Sequence, residues 1–389
     1  MKFIHNAIYF VLILRYVNLF VICDDSPSPR EAQTASLVNN KLYFFGGRDI
    51  NNNPTNEVWY LDLSSPFNVS MLPWHKDQGL PLAINYASSC VSPIDNSVFI
   101  IDVSRPFITN TSDAFYPSEI YEFDPNASYW KVPTITDYNS SFNTRYSVEA
   151  VIDNDGKFFI FGGSNSNGSN TTLIRYNEMH MLDTTTGTMK WTTLNISQNV
   201  PLPRIIYAAV LLPTDEIIYI GGVDMSLSDN LRLVDIKAVQ LFNTKSFTWS
   251  TKQTTGAGID SRFGFTAVLT RNGSIIIYGG EAMNYTSYKQ VSPDLAVLNI
   301  NTWEWSIPNI SQKNAPPSSL VFHSATLYEN YMIVSFGLIL SISRLSELFY
   351  ILDIRNYTWV TATTINNLGP LEPTPISTVL EFRVHLHLH

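Results

Sequence analysis

Few side chains of this chain could bind a metal ion or act as a nucleophile. The sequence has two cysteines, Cys23 and Cys90, and seven histidines. Cys90 lies in an apolar segment with the pattern of a strand, which favours a buried, unreactive thiol. His385, His387 and His389 could share one side of a strand, but a frayed terminus makes a weak metal site. The sequence therefore predicts no metal site and no cofactor.

The charge balance excludes one class of ligand. The chain has 24 lysines and arginines against 33 acidic residues, and its formal net charge is −9. Proteins that bind nucleic acid usually present a basic patch or stripe to the phosphates. No basic stripe is visible in this sequence, so we expect no nucleic acid among its partners.

The first 23 residues have the features of a secretory signal peptide. Lys2 provides a positive start, and two apolar runs follow at residues 8–14 and 17–23, which suits cleavage before Asp24. Arg15 separates the two runs, and each is much shorter than the roughly 20 apolar residues of a membrane span. We therefore predict a secreted, extracellular protein without stable membrane insertion.

Sequons for N-glycosylation support passage through a secretory pathway. Each Asn-x-Ser/Thr triplet alone is weak evidence, but most of them fall between predicted strands, where a glycan has room. The predicted acceptors are Asn68, Asn110, Asn126, Asn139, Asn167, Asn170, Asn195, Asn272, Asn284, Asn309 and Asn356.

A repeated unit organises the chain. Each unit contains a small-and-apolar strand, an apolar strand that ends in glycine, a third strand, and a fourth strand with a tryptophan. The tryptophans recur every ~54–61 residues, near the roughly 50 of one class of propeller repeat, at Trp74, Trp130, Trp191, Trp249, Trp305 and Trp359. Four units keep a full Gly-Gly pair and an arginine before the first strand, at Arg30, Arg145, Arg204 and Arg262.

This pattern resembles the kelch repeat over about residues 30–362. The resemblance implies an all-β fold, a six-bladed kelch-type β-propeller with four-stranded antiparallel blades, over residues 24–362. The physical argument agrees, because a four-stranded meander cannot bury both of its faces unless it stacks on neighbours around a ring. Residues 363–389 are then a linker and a C-terminal tail with a strand-like alternation that could pair with an outer edge.

One face of such a propeller carries the connections between strands 2 and 3 of each blade. These connections are long and polar, and we expect loops that bind a ligand, at residues 48–55, 103–117, 164–176, 223–234 and 281–293. In kelch adaptor domains, arginines at matching places contact acidic ligands. The resemblance therefore implies ligand binding by Arg30, Arg48, Arg145, Arg204 and Arg262. The alternative is that each repeat arginine pairs with an acid of a neighbouring blade.

Two enzymatic alternatives are related to this fold. Galactose oxidase also uses kelch blades, but its copper-radical site needs a cysteine, two tyrosines and two histidines together. Here the blades offer Cys90 with His75, His180 and His323, and no further domain. A propeller glycosidase such as a sialidase would need its Asp-box turn, for which segment 183–191 has the wrong spacing.

The sequence thus predicts a non-catalytic secreted binding scaffold, a monomer that presents a loop-rich face to a protein or glycan partner. A carbohydrate-active enzyme, either an oxidase or a glycosidase, is the alternative. A third hypothesis is a glycosylated coat component without a discrete site.

Overall fold

The fold was analysed in a computed structural model. It describes residues 26–101, 120–137, 145, 147–166, 173–225, 231–284 and 287–363. The predicted signal peptide at residues 1–23 and the tail from residue 364 onward lie outside these ranges. Among the described residues, no helix is long and apolar enough to cross a membrane.

Six antiparallel four-stranded sheets, here called blades 1 to 6, contain most of the strand residues of the described chain. The strands of blade 1 are Thr34–Val38, Lys41–Phe45, Val58–Asp62 and Trp74–Lys76. Those of blade 2 are Ser88–Val91, Val98–Ile101, Ile120–Asp124 and Tyr129–Lys131. Those of blade 3 are Ala150–Ile152, Lys157–Phe161, Met179–Asp183 and Met189–Leu194. Those of blade 4 are Ala208–Leu211, Glu216–Ile220, Ala238–Asn243 and Thr248–Gln253. Those of blade 5 are Thr266–Leu269, Ser274–Tyr278, Leu295–Asn299 and Glu304–Ser306. Those of blade 6 are Ser324–Tyr328, Tyr331–Ser335, Phe349–Asp353 and Thr358–Val360. The strands pair in chain order within each blade, so each sheet comes from one repeat unit.

The blades form a closed ring around a central channel. The first strand of every blade contacts the first strands of the two adjacent blades, and blade 6 contacts blade 1. The prediction of an all-β kelch-type propeller is therefore confirmed, and the described blades correspond to the six repeat units of the sequence.

The core lies between the blades rather than within them. Six apolar clusters each combine side chains of two adjacent blades, and each cluster contains one repeat tryptophan. The second strands are apolar without alternation because both of their faces are buried. In blade 3, Phe158 and Ile160 pack towards blade 2, whereas Phe159 and Phe161 pack towards blade 4.

A short segment after blade 6 fastens the ring to blade 1. The backbone N–H of Val69 donates to Thr361 O at 2.9 Å, and the N–H of Thr363 donates to Phe67 O at 3.1 Å. The N–H of Phe67 donates in turn to Thr363 Oγ1 at 3.2 Å. Gln33 Nε2 adds side-chain hydrogen bonds from blade 1 to blade 6. The seam between the first and last blades is thus closed by hydrogen bonds as well as by an apolar cluster.

Connectors between blades add a fifth strand to two of them. The segment Ile135–Thr136 pairs in parallel with the fourth strand of blade 3. The segment Thr255–Gly256 pairs in parallel with the fourth strand of blade 5. These additions cover the outer edges of blades 3 and 5.

The connections between strands 2 and 3 differ from the predicted loops. In four blades the described ends of these connections are short strands that pair with each other antiparallel, and each such pair is called a hairpin below. The paired segments are Ser164–Ser166 with Leu173–Arg175, Val223–Met225 with Leu231–Leu233, Glu281–Asn284 with Ser287–Gln290, and Leu338–Ile339 with Arg344–Leu345. The hairpin of blade 4 also pairs with Arg204–Ile205, and that of blade 6 also pairs with Leu320–Val321. A 3₁₀ turn at Leu340–Ile342 lies between the two strands of the blade 6 hairpin. The predicted loop 103–117 lies outside the described residues.

Candidate functional site

The four repeat arginines lie beside the channel mouth, but all four are buried. Three of them bind the backbone carbonyl of the first glycine of their own blade. Arg30 Nη1 donates to Gly46 O at 3.1 Å, and Arg145 Nη1 donates to Gly162 O at 3.1 Å. Arg262 Nη1 donates to Gly279 O at 3.0 Å and Arg262 Nη2 to Pro293 O at 2.7 Å. These arginines therefore hold the backbone of the Gly-Gly turn.

Two of these arginines have a carboxylate partner at the start of the third strand of the same blade. Arg30 pairs with Glu57 at 2.7 Å, and Arg145 pairs with Glu178 at 2.5 Å. The expectation of a partner in a neighbouring blade is wrong, because the third strand of the same sheet brings its acid closer. Burial disfavours the charged form of Glu57, but hydrogen bonds from Arg30, Lys76 and other donors prevail and lower its pKa to about 2.

Arg204 of blade 4 differs from the other three. Its side chain is 4% exposed, and its Nε and Nη1 have no hydrogen-bond partner among the described residues. The position of Glu57 and Glu178 in the third strand is occupied in blade 4 by Ala238, as the strand pairing shows. Burial without that carboxylate lowers the pKa of Arg204 to about 10. Ligand binding by the four buried arginines stays a prediction, since their described contacts are internal.

Arg48 is the predicted ligand residue that remains accessible. Its side chain is 27% exposed and forms an ion pair with Glu31. The guanidinium lies over the ring of Tyr86, 5.6 Å from the ring centroid, and Nη2 approaches the Tyr86 hydroxyl at 3.4 Å. The ion pair and the ring contact hold the Arg48 side chain at the channel mouth.

Aromatic side chains continue from Arg48 across the same face. Tyr86 packs edge-on against Phe322 at 5.3 Å between centroids, Phe322 lies 6.4 Å from Phe263, and Phe263 lies 6.1 Å from Tyr288. Tyr288 is 65% exposed and Phe263 is buried, whereas Tyr86 and Phe322 are half-buried. These four rings and Arg48 are called the mouth row below.

A repeated backbone conformation positions part of the mouth row. The residue that begins each innermost segment has a positive φ between 53° and 65° in every blade, at Ala32, Tyr86, Ser147, Ile206, Gly264 and Phe322. Backbone hydrogen bonds between these residues link adjacent blades, for example from Ala32 N to Phe322 O at 2.9 Å and from Tyr86 N to Ala32 O at 2.8 Å. Among these six positions Tyr86 and Phe322 are the aromatic residues, and both line the channel cavity. Sequence reasoning missed these residues, although aromatic side chains at two of six equivalent positions were a usable signal.

The channel is lined mostly by alanine, serine and threonine residues. Its cavity has a volume of about 240 Å³ and is lined by the first strands of all six blades. Glu149 Oε2 accepts a hydrogen bond from the Ala209 N–H at 2.8 Å, and burial raises the Glu149 pKa to about 7. His323 Nε2 lies 2.8 Å from Thr266 Oγ1, and burial lowers the His323 pKa to about 3.

The other predicted residues are placed as follows. Cys90 is buried, and its Sγ lies 3.1 Å from Ala150 O. No group of three or more metal-ligating side chains was found among the described residues. Six predicted glycosylation acceptors are exposed, namely Asn68, Asn126, Asn195, Asn272, Asn309 and Asn356. Asn110, Asn139, Asn167 and Asn170 lie outside the described residues, as does the side chain of Asn284.

A closed ring of four-stranded blades with Gly-Gly turns held by buried arginines defines a kelch-type propeller. The profile of the Attractin/LZTR1 beta-propeller family matches two overlapping parts of the sequence, residues 18–223 and 109–370. The chain belongs to this family.

This chain is similar to parts of several longer proteins. It is 25% identical to tip elongation aberrant protein 1 of Schizosaccharomyces pombe over 213 residues. These residues are 54% of this chain and 17% of the relative. It is 24% identical over 302 residues to acyl-CoA-binding domain-containing protein 4 of Arabidopsis thaliana, 75% of this chain and 40% of the relative. It is 25% identical over 142 residues to human Kelch-like protein 25, 36% of this chain and 22% of the relative. The chain thus spans less than half the length of each of these relatives.

Among solved structures, the fold is similar to that of YjhT. The TM-score is 0.64 at 12% identity, and the match covers 87% of this chain and 99% of YjhT. At this identity the likeness concerns the fold alone. Kelch-type propellers are typically protein-interaction scaffolds, and that coarse function applies to this family member.

Proposed function

We propose that this protein is a non-catalytic scaffold that binds a partner protein through the mouth row. The observation that carries the proposal is a row of aromatic rings ending in an accessible arginine at the channel mouth. Tyrosine and arginine are among the residues that contribute most to protein interfaces. Their chemistry suits a protein partner better than a small polar molecule.

The side chains of the mouth row contact one another in the protein without a partner. Arg48 is held by Glu31 and Tyr86, and the rings contact one another in sequence. Binding of a partner therefore costs these side chains little conformational entropy, which favours affinity. Half-buried Met283 and Leu233 beside Phe263 extend the apolar area.

The finer parts of the proposal concern where the protein acts. We propose that residues 1–23 are a cleaved signal peptide, that residues 24–362 form the propeller, and that the mature protein is an extracellular monomer carrying N-glycans. The exposure of every described sequon asparagine is compatible with glycan attachment. The mass of the secreted protein before and after glycosidase treatment tests this part, and secretion should fail when residues 1–23 are removed.

The binding proposal is tested with exposed aromatic residues on two parts of the surface. The Tyr288→Ala variant removes a mouth-row ring, and Tyr129→Ala removes a ring that is 61% exposed on the outer strand of blade 2. Both variants and Arg48→Ala are screened with the unaltered protein against arrays of extracellular proteins and of glycans.

We expect protein partners whose binding weakens at least about tenfold in Tyr288→Ala and Arg48→Ala and is unchanged in Tyr129→Ala. Equal loss in the control, or retention in both mouth-row variants, would contradict the proposed surface. Binding to glycans alone would assign the glycan alternative.

A further inference from the structure

One carboxylate stands among the small, uncharged side chains of the channel. Among the described residues that line the cavity, Glu149 is the only acid, and none is a lysine or an arginine. Glu149 directly precedes the first strand of blade 3, two residues after Ser147 with its positive φ. The residues at the same place in the other blades are all small, namely Thr34, Ser88, Ala208, Thr266 and Ser324. The glutamate is therefore an exception to the repeat.

The structural task at this place does not need a glutamate. Glu149 Oε2 accepts a hydrogen bond from the Ala209 N–H at 2.8 Å, which links blade 3 to blade 4. Between blades 2 and 3, a serine makes the equivalent contact, because Ser88 Oγ accepts from the Ala150 N–H at 2.9 Å. A hydroxyl is thus sufficient for this link. A carboxylate costs more to remove from water, so its presence in the channel points to a ligand of opposite charge.

The Glu149 carboxylate has one oxygen left for such a ligand. The side chain is half-buried and lines the cavity. Oε2 is occupied by the Ala209 N–H, and no described residue donates a hydrogen bond to Oε1. Fully enclosed side-chain oxygens without a partner occur elsewhere in the described chain, but Oε1 of Glu149 is not one of them. This oxygen is therefore accessible from the cavity.

A single free carboxylate oxygen suits an ammonium group best. A guanidinium pairs with both oxygens of a carboxylate, and here one is already occupied. Calcium needs six to eight oxygen ligands, and the described part of the chain contains no group of three or more metal-ligating side chains. An ammonium needs fewer acceptors, and its alkyl stem can pack on methyl groups. Partly exposed alanines line the same cavity, at Ala35, Ala267 and Ala325.

The cavity reaches from the mouth down to Glu149. It is lined by the positive-φ residues of all six blades as well as by the first strands. Its volume of about 240 Å³ is well above the roughly 30 Å³ share of one water molecule. A linear alkylammonium that enters past the mouth row therefore has room to reach the carboxylate.

We propose that the channel binds a primary ammonium group on an alkyl chain, which pairs with Glu149 Oε1. Its source is a lysine side chain of the partner protein that docks on the mouth row. The lysine source rests on the proposed function, whereas the ammonium site does not. The kelch resemblance implied acidic ligands for the repeat arginines, but those arginines are buried. The accessible charge of the channel is negative, and the net charge of −9 also favours a basic partner.

Glu149 makes this binding depend on pH. Burial raises its pKa to about 7, so the free carboxyl is partly protonated at neutral pH. A cation binds the ionised form, and an alkylammonium keeps its own charge up to about pH 10. The affinity should therefore rise with pH through 7, by about tenfold between pH 6 and pH 8.

The other titratable groups around Glu149 stay uncharged in this pH range. Burial lowers the pKa of His323, across the cavity, to about 3. Burial also raises the pKa of the neighbouring thiol and phenols, at Cys90, Tyr86, Tyr207 and Tyr219. The pH dependence of ammonium binding is therefore assigned to Glu149.

The test follows the Glu149 carboxyl by carbon-13 NMR of the full chain with glutamate labelled at its δ carbon. The signal that is missing in Glu149→Gln belongs to Glu149. Glu304, which is exposed on the outer strand of blade 5, is assigned in the same way and is the internal control. The probe is butylammonium chloride. Butanol is the uncharged control of similar shape, and sodium chloride matches the ionic strength.

We expect butylammonium to lower the midpoint of the Glu149 titration by at least about one pH unit, which corresponds to tenfold tighter binding to the ionised form. Butanol and sodium chloride should leave this midpoint near 7, and the Glu304 midpoint should not move. An unchanged Glu149 midpoint, or equal shifts at Glu149 and Glu304, would overturn the ammonium site.

The source of the ammonium is tested with the protein partners that depend on the mouth row. Glu149→Gln should weaken their binding at least tenfold, and their affinity for the unaltered protein should rise between pH 6 and pH 8. If butylammonium shifts the Glu149 midpoint but partners bind Glu149→Gln equally well, a free amine is the ligand and the lysine source is wrong. If no partner depends on Tyr288 or Arg48, the proposed function fails, and the butylammonium titration still decides the ammonium site.

Discussion

At the scale of single residues, the repeat arginines carry out one structural task with different partners. Arg30 and Arg145 each have a glutamate, Arg262 uses backbone carbonyls, and Nε and Nη1 of Arg204 have no hydrogen-bond partner among the described residues. A buried guanidinium without a partner is costly, because burial removes its water and nothing replaces it. The repeat thus tolerates the loss of the acid in blade 4, at a cost in stability.

Supplying the missing carboxylate should stabilise the protein. We expect Ala238→Glu to raise the free energy of unfolding by about 1 kcal/mol, because a charge-assisted hydrogen bond would satisfy Arg204. Ala238→Gln is the control for size, and denaturant unfolding is the measurement. A gain of the same size in Ala238→Gln, or a gain that persists when Arg204→Met is added, would contradict the explanation.

Glu149 in the channel should make stability depend on pH. Burial raises its pKa from 4.5 to about 7, so the folded protein holds a proton that the unfolded chain releases. The stabilisation is complete below pH 4.5 and is lost as the pH rises from 4.5 to 7, by up to ~3 kcal/mol at about 1.4 kcal/mol per pKa unit. The difference in unfolding free energy between the protein and Glu149→Gln, measured across this window, should fall with pH. A difference that is constant with pH would show that Glu149 titrates normally.

At the scale of elements, the Gly-Gly turns bring the chain after the second strand close to the segment that leads into the first strand of the same blade. Gly222 has a φ of +85°, and a Cβ there would lie 2.7 Å from Ile205 O. Both the left-handed conformation and the contact with backbone exclude a larger residue. The glycine pair is therefore required by the turn and by its packing.

We expect Gly222→Ala to lower the free energy of unfolding by at least about 2 kcal/mol, because the strain cannot be relieved by moving a side chain. Gly258→Ala is the matched control, since a Cβ there meets nothing within 4 Å, and its effect should stay within about 0.5 kcal/mol. Thermal unfolding of both variants measures the difference. Similar stabilities of the two variants would show that the backbone at Gly222 adapts.

At the scale of the whole molecule, stability depends on closing the ring. Each apolar cluster joins two blades, so an open seam would expose the apolar faces of both blade 1 and blade 6. The first and last blades come from opposite ends of the chain, and the segment at residues 361–363 fastens them. Closure therefore couples the two ends of the described chain.

Thr363→Val should weaken the seam selectively. The substitution keeps the shape of the side chain but leaves the buried N–H of Phe67 without its acceptor, so we expect a loss of about 1–2 kcal/mol. Thr361→Val is the control, because the Thr361 side chain is exposed and only its backbone oxygen binds blade 1. Hydrogen exchange of blade 1 and blade 6 amides measures the opening of the seam. Equal exchange in the two variants would contradict the assigned role of Thr363.

Much of the architecture follows from the sequence because its signals are local and repeated. The Gly-Gly turns, the apolar second strands and the regularly spaced tryptophans each reflect a requirement within one repeat unit. Together they predicted the all-β propeller and the residues of its core. The arginine that precedes the first strand was visible for the same reason.

Only the tertiary structure decided what those residues contact. The burial of the repeat arginines depends on carboxylates and carbonyls 16 to 33 residues away in the same blade, and a one-dimensional pattern does not show them. The mouth row brings together Tyr86, Phe263, Tyr288 and Phe322 of three blades, which are remote in sequence. The hairpins and the seam at Thr363 also depend on how the blades meet. Such features are set by the packing of distant segments, so they appear once the ring is closed.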